Sequence, residues 1–141
     1  MPQDISGYDV GALLYCPANA HHTVAQAVAA ERLPHPFSLA LCLEDTVRAD
    51  ALAAAEQAVE QTLHDLTDAA RQETFYRPLT FVRVRSPEQL ARLGRAYGKY
   101  RPLLTGFILP KFFIETCGAY CAVIRDLQAD GLDYFYMPVF E

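Results

Sequence analysis

Phe37–Val47, FSLALCLEDTV, is the stretch that decides the fold. From Ser38 to Leu43 it leaves none of the polar gaps that one exposed helix face would require. An unbroken run of this length suits a strand buried on both faces, as in a parallel sheet covered by helices. It stops at two adjacent carboxylates, Glu44 and Asp45. Acids placed just past such a strand sit at its carboxyl end, the end at which α/β sheets and barrels bind ligands.

Working outward, the same alternation recurs along the chain. Ala12–Cys16 reads as a strand ended by Pro17, and Thr23–Arg32 as a short helix with Val24 and Val28 on one face. After Asp45, residues Asp50–Ala70 form the longest amphipathic segment. Asp50 is its expected N-cap, Leu52, Ala55, Val59, Leu63 and Leu66 its apolar stripe, and Glu56, Glu60 and Asp65 its solvated side. Pro78–Val84 is a third strand. Ser86–Gln89, SPEQ, supplies an N-cap, a proline at the first helical position and a capping-box partner for a helix carrying Leu90, Leu93 and Tyr97. Gly106–Leu109 is a fourth strand, and Phe113, Cys117, Tyr120, Ile124 and Leu127 mark a helix closed by Gly131. Tyr134–Phe140 is the fifth strand. The order βαβαβαβαβ predicts one α/β domain over residues 1–141, with the connections of parallel crossover units. Five strands are three fewer than a closed (β/α)8 barrel has, so the expectation is either an open sheet or the N-terminal portion of a TIM barrel whose bare edge self-association hides.

The totals bound the partners. The 141 residues are 52% hydrophobic and 21% charged, with a formal net charge of −5, which fits a soluble globular domain. Lys and Arg are few and scattered, which argues against nucleic acid and anionic membranes as partners. No stretch approaches the ~20 apolar residues of a membrane span. The N-terminus carries no secretory pattern, so a cytoplasmic location is expected. Cys16 and Cys42 fall inside strands, and Cys117 and Cys121 lie four apart on a helix with no histidine pair to complete a ligand set. Packing is the expected role of all four.

Ordered by strand end, the polar residues are Asn19, then Glu44 and Asp45, then Arg83 and Arg85, then Lys111, and finally Glu141. His21 and His22 belong to the same first rim position and are candidate proton carriers, although histidines that begin a helix usually face solvent. Carboxylates and cations gathered at one rim suit a divalent cation and an anionic substrate together. Mg²⁺ takes oxygen ligands from one or two carboxylates, and guanidinium pairs with carboxylate through two parallel hydrogen bonds.

The motifs LLYCPAN, LCLEDTV, FVRV, ILPK and MPVFE, in this order, resemble those of the citrate lyase β-chain family. That family includes the malyl-CoA lyases and HpcH/HpaI-type aldolases, and the divergent citrate-lyase-like proteins of tellurium-resistance-type gene clusters look nearest. The resemblance covers about residues 12–141. It implies a TIM barrel of roughly twice this length that uses Mg²⁺ to break or form C–C bonds in hydroxy acids or their CoA thioesters. It also implies that Arg83 grips the substrate carboxylate, that Glu141 binds Mg²⁺, and that Glu44 and Asp45 lend polar support or handle protons. Asn19 and Lys111 match rim positions that contact substrate. Three departures weaken the match. Arg85 replaces a small polar residue, Phe112 and Phe113 follow Lys111, and the second acidic metal ligand, expected after a sixth strand, falls outside the sequence. These predict weak Mg²⁺ binding and low turnover for this chain alone. The alternative is a non-catalytic half-barrel that binds a ligand or assembles with itself. An open flavodoxin-like sheet ranks last, since no Gly-rich loop follows the first strand.

Overall fold

The structure, a computed structural model, describes residues 4–140, and of Ala20, His21 and His22 it describes the backbone only. Five strands form one sheet: β1 (Leu13–Pro17), β2 (Ser38–Cys42), β3 (Thr80–Arg83), β4 (Leu104–Leu109) and β5 (Phe135–Pro138). They are connected by α1 (His21–Ala29), α2 (Leu52–Gln72), α3 (Pro87–Ala96) and α4 (Ile114–Ala129). Every neighbouring pair is parallel, and the spatial order is the chain order. A doubly wound sheet reverses direction at a switch point and carries helices on both faces. Here the order never reverses, which sets the flavodoxin-like alternative aside.

The two faces differ as a barrel wall requires. Leu39, Leu41 and Leu43 of the β2 segment pack with Val28, Val59, Leu63, Leu90 and Leu127 in one cluster that draws on all four helices. Residues of opposite parity, Ala40, Phe81 and Ile108, form a second cluster with Leu13, Phe135 and Met137 that contains no residue of α1–α4. Helices on one face and a purely strand-lined opposite face describe a segment of a (β/α) barrel. Val10 completes the inner cluster, and the Ser38 hydroxyl donates to the Val10 carbonyl at 2.6 Å, fastening the preceding 3₁₀ turn Gly7–Val10 over the amino-terminal end. On the same inner face, a Cβ at Gly106 would overlap the Phe135 carbonyl, so β4 and β5 pair there only around a residue with no side chain.

Local signals read from the sequence mostly act where expected. Ser86 caps α3 by accepting from the Gln89 N–H at 3.1 Å with Pro87 behind it, and Gly131 after α4 adopts φ +77°. Three readings change. Asp50 does not cap the long helix: it sits inside a 3₁₀ turn, Ala49–Ala51, and pairs with Arg48 at 2.9 Å, because the chain tightens before α2 begins at Leu52. Glu56 is not on a solvated face, since α3 packs over it. Arg92 binds it through both guanidinium Nη atoms at 2.7 Å, and Gln89 donates to it at 2.8 Å. Phe113, read as the first residue of the α4 stripe, instead occupies the N-cap and is exposed. Among the described residues no helix is long and apolar enough to cross a membrane.

Candidate active site at the carboxyl-terminal rim

Arg83 is the last residue of β3 and pairs in register with Cys42, the last of β2. Alternation puts both on the inner face with Ala40 and Phe81. Two residues past Cys42, the same parity turns Glu44 inward, so the long arginine side chain reaches it across one strand. Arg83 Nη2 lies 2.8 Å from Glu44 Oε2 and 3.4 Å from Asp45 Oδ2. The two acids are not equivalent. The Glu44 side chain is 7% exposed and that of Asp45 70%, with Arg83 itself at 14%.

Lys111 closes the group from β4, its Nζ 3.5 Å from Glu44 Oε1. It follows Pro110 with φ +50°, a left-handed conformation that costs a non-glycine residue of order 1 kcal/mol. The conformation is held from below: the Thr116 hydroxyl donates to the Lys111 carbonyl at 2.7 Å, and the Phe113 N–H donates to it at 3.0 Å. Phe112 is tied to β5 by its N–H on the Val139 carbonyl at 3.0 Å, and its ring stacks on Tyr120. Burial, assisted by Glu44 and Glu88, pushes the Tyr120 hydroxyl up to about 12, so it stays a proton donor, here to the Pro110 carbonyl at 3.4 Å. Burial works against the Arg83 charge, but Glu44, Tyr15, Cys42 and Asp45 outweigh it and hold the guanidinium above its ordinary range. It is permanently cationic.

The structure thus brings together Glu44, Asp45, Arg83 and Lys111 from three separate strands. Among the described residues it does not join Asn19 or Arg85 to them. Asn19 lies at the same end, in the 3₁₀ turn after β1, but is exposed and makes no described hydrogen bond to the group. Arg85 forms no ion pair among the described residues, and its backbone N–H is taken by Gln89 Oε1 at 2.7 Å. Glu141 and the side chains of His21 and His22 lie outside what is described. One participant escaped the sequence reading: the Tyr15 ring lies under the Arg83 guanidinium, 5.8 Å from centroid to Cζ. Its parity with Leu13 was legible, but an uncharged strand residue gave no reason to place it at the rim. Cys42 is buried beside Arg83, and burial pushes the Cys16 thiol up, the behaviour of packing residues.

Oxygen donors for Mg²⁺ are few here. Both Glu44 oxygens already face cations, and Asp45 leans on Arg83. No group of three or more His, Cys, Asp or Glu converges among the described residues. Glu44 and Asp45 alone do not make a divalent-cation site. A crevice of about 660 Å³ lies at the opposite rim between Arg77, Leu79, Arg101, Thr105, Asp133 and Phe135, away from this cluster.

A strand-ordered parallel wall with its ionic side chains at the carboxyl-terminal rim defines a (β/α)-barrel protein with an enzyme-type site. Comparison with protein families agrees: residues 4–141 match the model described as C-C bond lyase of the TIM-barrel fold. The chain belongs to that family. Comparison with curated proteins finds no match.

Proposed function

We propose that this protein is a lyase of the citrate lyase β type, in which Arg83 holds the carboxylate of a hydroxy acid or of its acyl-CoA thioester while a neighbouring C–C bond breaks. The observation that carries this is the division of labour between two adjacent acids on one arginine. Glu44, buried and 2.8 Å away, fixes the guanidinium, whereas Asp45, exposed and 3.4 Å away, is a loose partner that an incoming carboxylate displaces. Lys111, 59% exposed, adds a second positive charge beside the same position.

In this reading the displaced Asp45 carboxylate takes the proton of the substrate hydroxyl. The oxygen's electrons form a carbonyl as the adjacent C–C bond breaks, the bonding pair passes to the departing carbon as an enolate, and a proton then quenches it. The positive charge of Arg83 and Lys111 steadies the carboxylate of the keto acid product. Mg²⁺, implied by the family resemblance, would polarise the carbonyl oxygen. It enters the proposal through Glu141 alone, and no step above is routed through it.

Calorimetric titration with oxaloacetate tests the site. Binding is expected in the wild type, to be lost in Arg83→Ala, and to tighten about two- to fivefold in Asp45→Asn, where a competitor worth about 0.5–1 kcal/mol is removed. Equal heats from wild type and Arg83→Ala would remove the anion role. Titrations with added Mg²⁺ test Glu141: affinity should rise, and the rise should vanish in Glu141→Gln.

A second reading, a non-catalytic module that associates with itself, has its own support. Among the described residues β1 and β5 have no strand on their outer sides, and Leu14 of β1 is 40% exposed. Sedimentation equilibrium separates the readings. A dimer that binds no oxaloacetate favours this second one.

A further inference from the structure

Tyr15 and Arg83 stand on strands that are not neighbours: β2 lies between them. Across two strand spacings, about 10 Å of backbone separation, two side chains meet only if the strand between presents little bulk. β2 does so. Tyr15 pairs in register with Ala40 and Arg83 with Cys42, both small, inward by parity and at most 2% exposed. Over this low saddle the Tyr15 ring reaches the guanidinium, 5.8 Å from centroid to Cζ. The ring is 46% exposed, high for an aromatic residue with no described hydrogen bond. Glu44 and Asp45 pair with the guanidinium at Nη2, whereas the Tyr15 ring turns its face toward Cζ.

We propose that Tyr15 is a positioning residue: its ring restrains the Arg83 guanidinium, and so the direction from which a substrate carboxylate is bound. The last clause rests on the oxaloacetate-binding reading of the site, and the first does not. Ring, not hydroxyl, is the active part, so Tyr15→Phe keeps the function and Tyr15→Leu loses it.

Two measurements on the full chain decide the matter. The rotation rate of the Arg83 guanidinium, from ¹⁵N line shapes of its Nη groups, is expected to rise severalfold in Tyr15→Leu and to hold in Tyr15→Phe. Oxaloacetate affinity is expected to fall about fivefold in Tyr15→Leu, the ratio equivalent to about 1 kcal/mol of cation–π contact, and to stay within twofold in Tyr15→Phe. Unchanged rotation in Tyr15→Leu overturns the proposal, as does a loss in Tyr15→Phe equal to that in Tyr15→Leu. A wild type that binds no oxaloacetate but shows the rotational change refutes the anion reading and leaves the Tyr15–Arg83 coupling supported.

Discussion

Replacing Glu44 by Gln removes one charge and almost no volume, which makes it the cleanest probe of the rim. Unit charges near 3 Å attract by roughly 5–6 kcal/mol at an effective dielectric of about 20. Most of that attraction is offset by the cost of taking both groups out of water, so the intact pair contributes little net stability. Breaking it is another matter. The guanidinium at 14% exposure stays mostly buried while the carboxylate 2.8 Å away is lost. Removing one partner of a buried pair costs about 3–5 kcal/mol. Asp45 at 3.4 Å retains part of the compensation and draws the expectation to about 2–3 kcal/mol. For a domain of this size that lowers the thermal midpoint by roughly 6–12 °C. Urea titration monitored by circular dichroism should show the midpoint shift at constant slope. The loss should persist in 1 M salt, because buried pairs are screened much less than exposed ones. Arg48→Gln, breaking a pair whose side chains are 85% and 69% exposed, should change little at any salt. A Glu44→Gln protein within about 0.5 kcal/mol of wild type would refute the claim that Glu44 secures Arg83, a loss too small for any buried pair.

Two further outcomes follow from the packing. Gly106→Ala must separate β4 from β5 at the Phe135 carbonyl, and a loss of more than about 3 kcal/mol, or no folded protein, is expected. Gly7→Ala, with open space around its added carbon, should melt within 2 °C of wild type, on the scale of an inert surface change. For Glu56, the hydrogen bond from Arg92 outweighs burial and, with Gln89 and the Arg92 charge, holds the carboxyl below its ordinary 4.5. A depressed folded value means that its stabilising effect is present above pH 4.5 and is lost as pH falls through the folded value. Glu56→Gln should therefore be less stable than wild type at pH 7, and the two should converge in acid. A gap that stays constant from pH 7 to 3 would show that the α2–α3 contact does not depend on this charge.

The sequence made the wall of the fold legible because buried parallel strands leave a pattern no other element leaves. Ser38–Leu43 has no exposed face to encode, and the acids after it mark the end of the strand. The same logic found Arg83 and Lys111, charged residues directly after apolar runs. It failed where a side chain answers to a partner element instead of to its own. Glu56 lies off the apolar stripe of α2 and read as solvated, yet α3 brings Arg92 and Gln89 over it. Asp50 has the chemistry of a cap but sits within a 3₁₀ turn, where Arg48 claims its carboxylate. Tyr15 carries no charge, and its meeting with Arg83 depends on the size of residues on a third strand. Pairing across elements is a tertiary property, and one-dimensional periodicity does not contain it.

The inner face explains why the charged layer sits at the rim and nowhere else. Ala40 and Phe81, both fully buried, make a dry floor one residue pair below Cys42 and Arg83, and buried Ile108 stands level with Arg83 on β4. A charge on that floor would lose its hydration with no partner in reach, whereas one layer higher the strand ends open toward Asp45 and Lys111, which remain in solvent. Arg83 stands at the boundary between these regimes. The apolar layer beneath limits water on one side and strengthens its pairing with Glu44, while the open side leaves Asp45 in solvent. The register of β3 with β2 at Cys42 therefore sets Arg83 between one buried acid and one exposed acid.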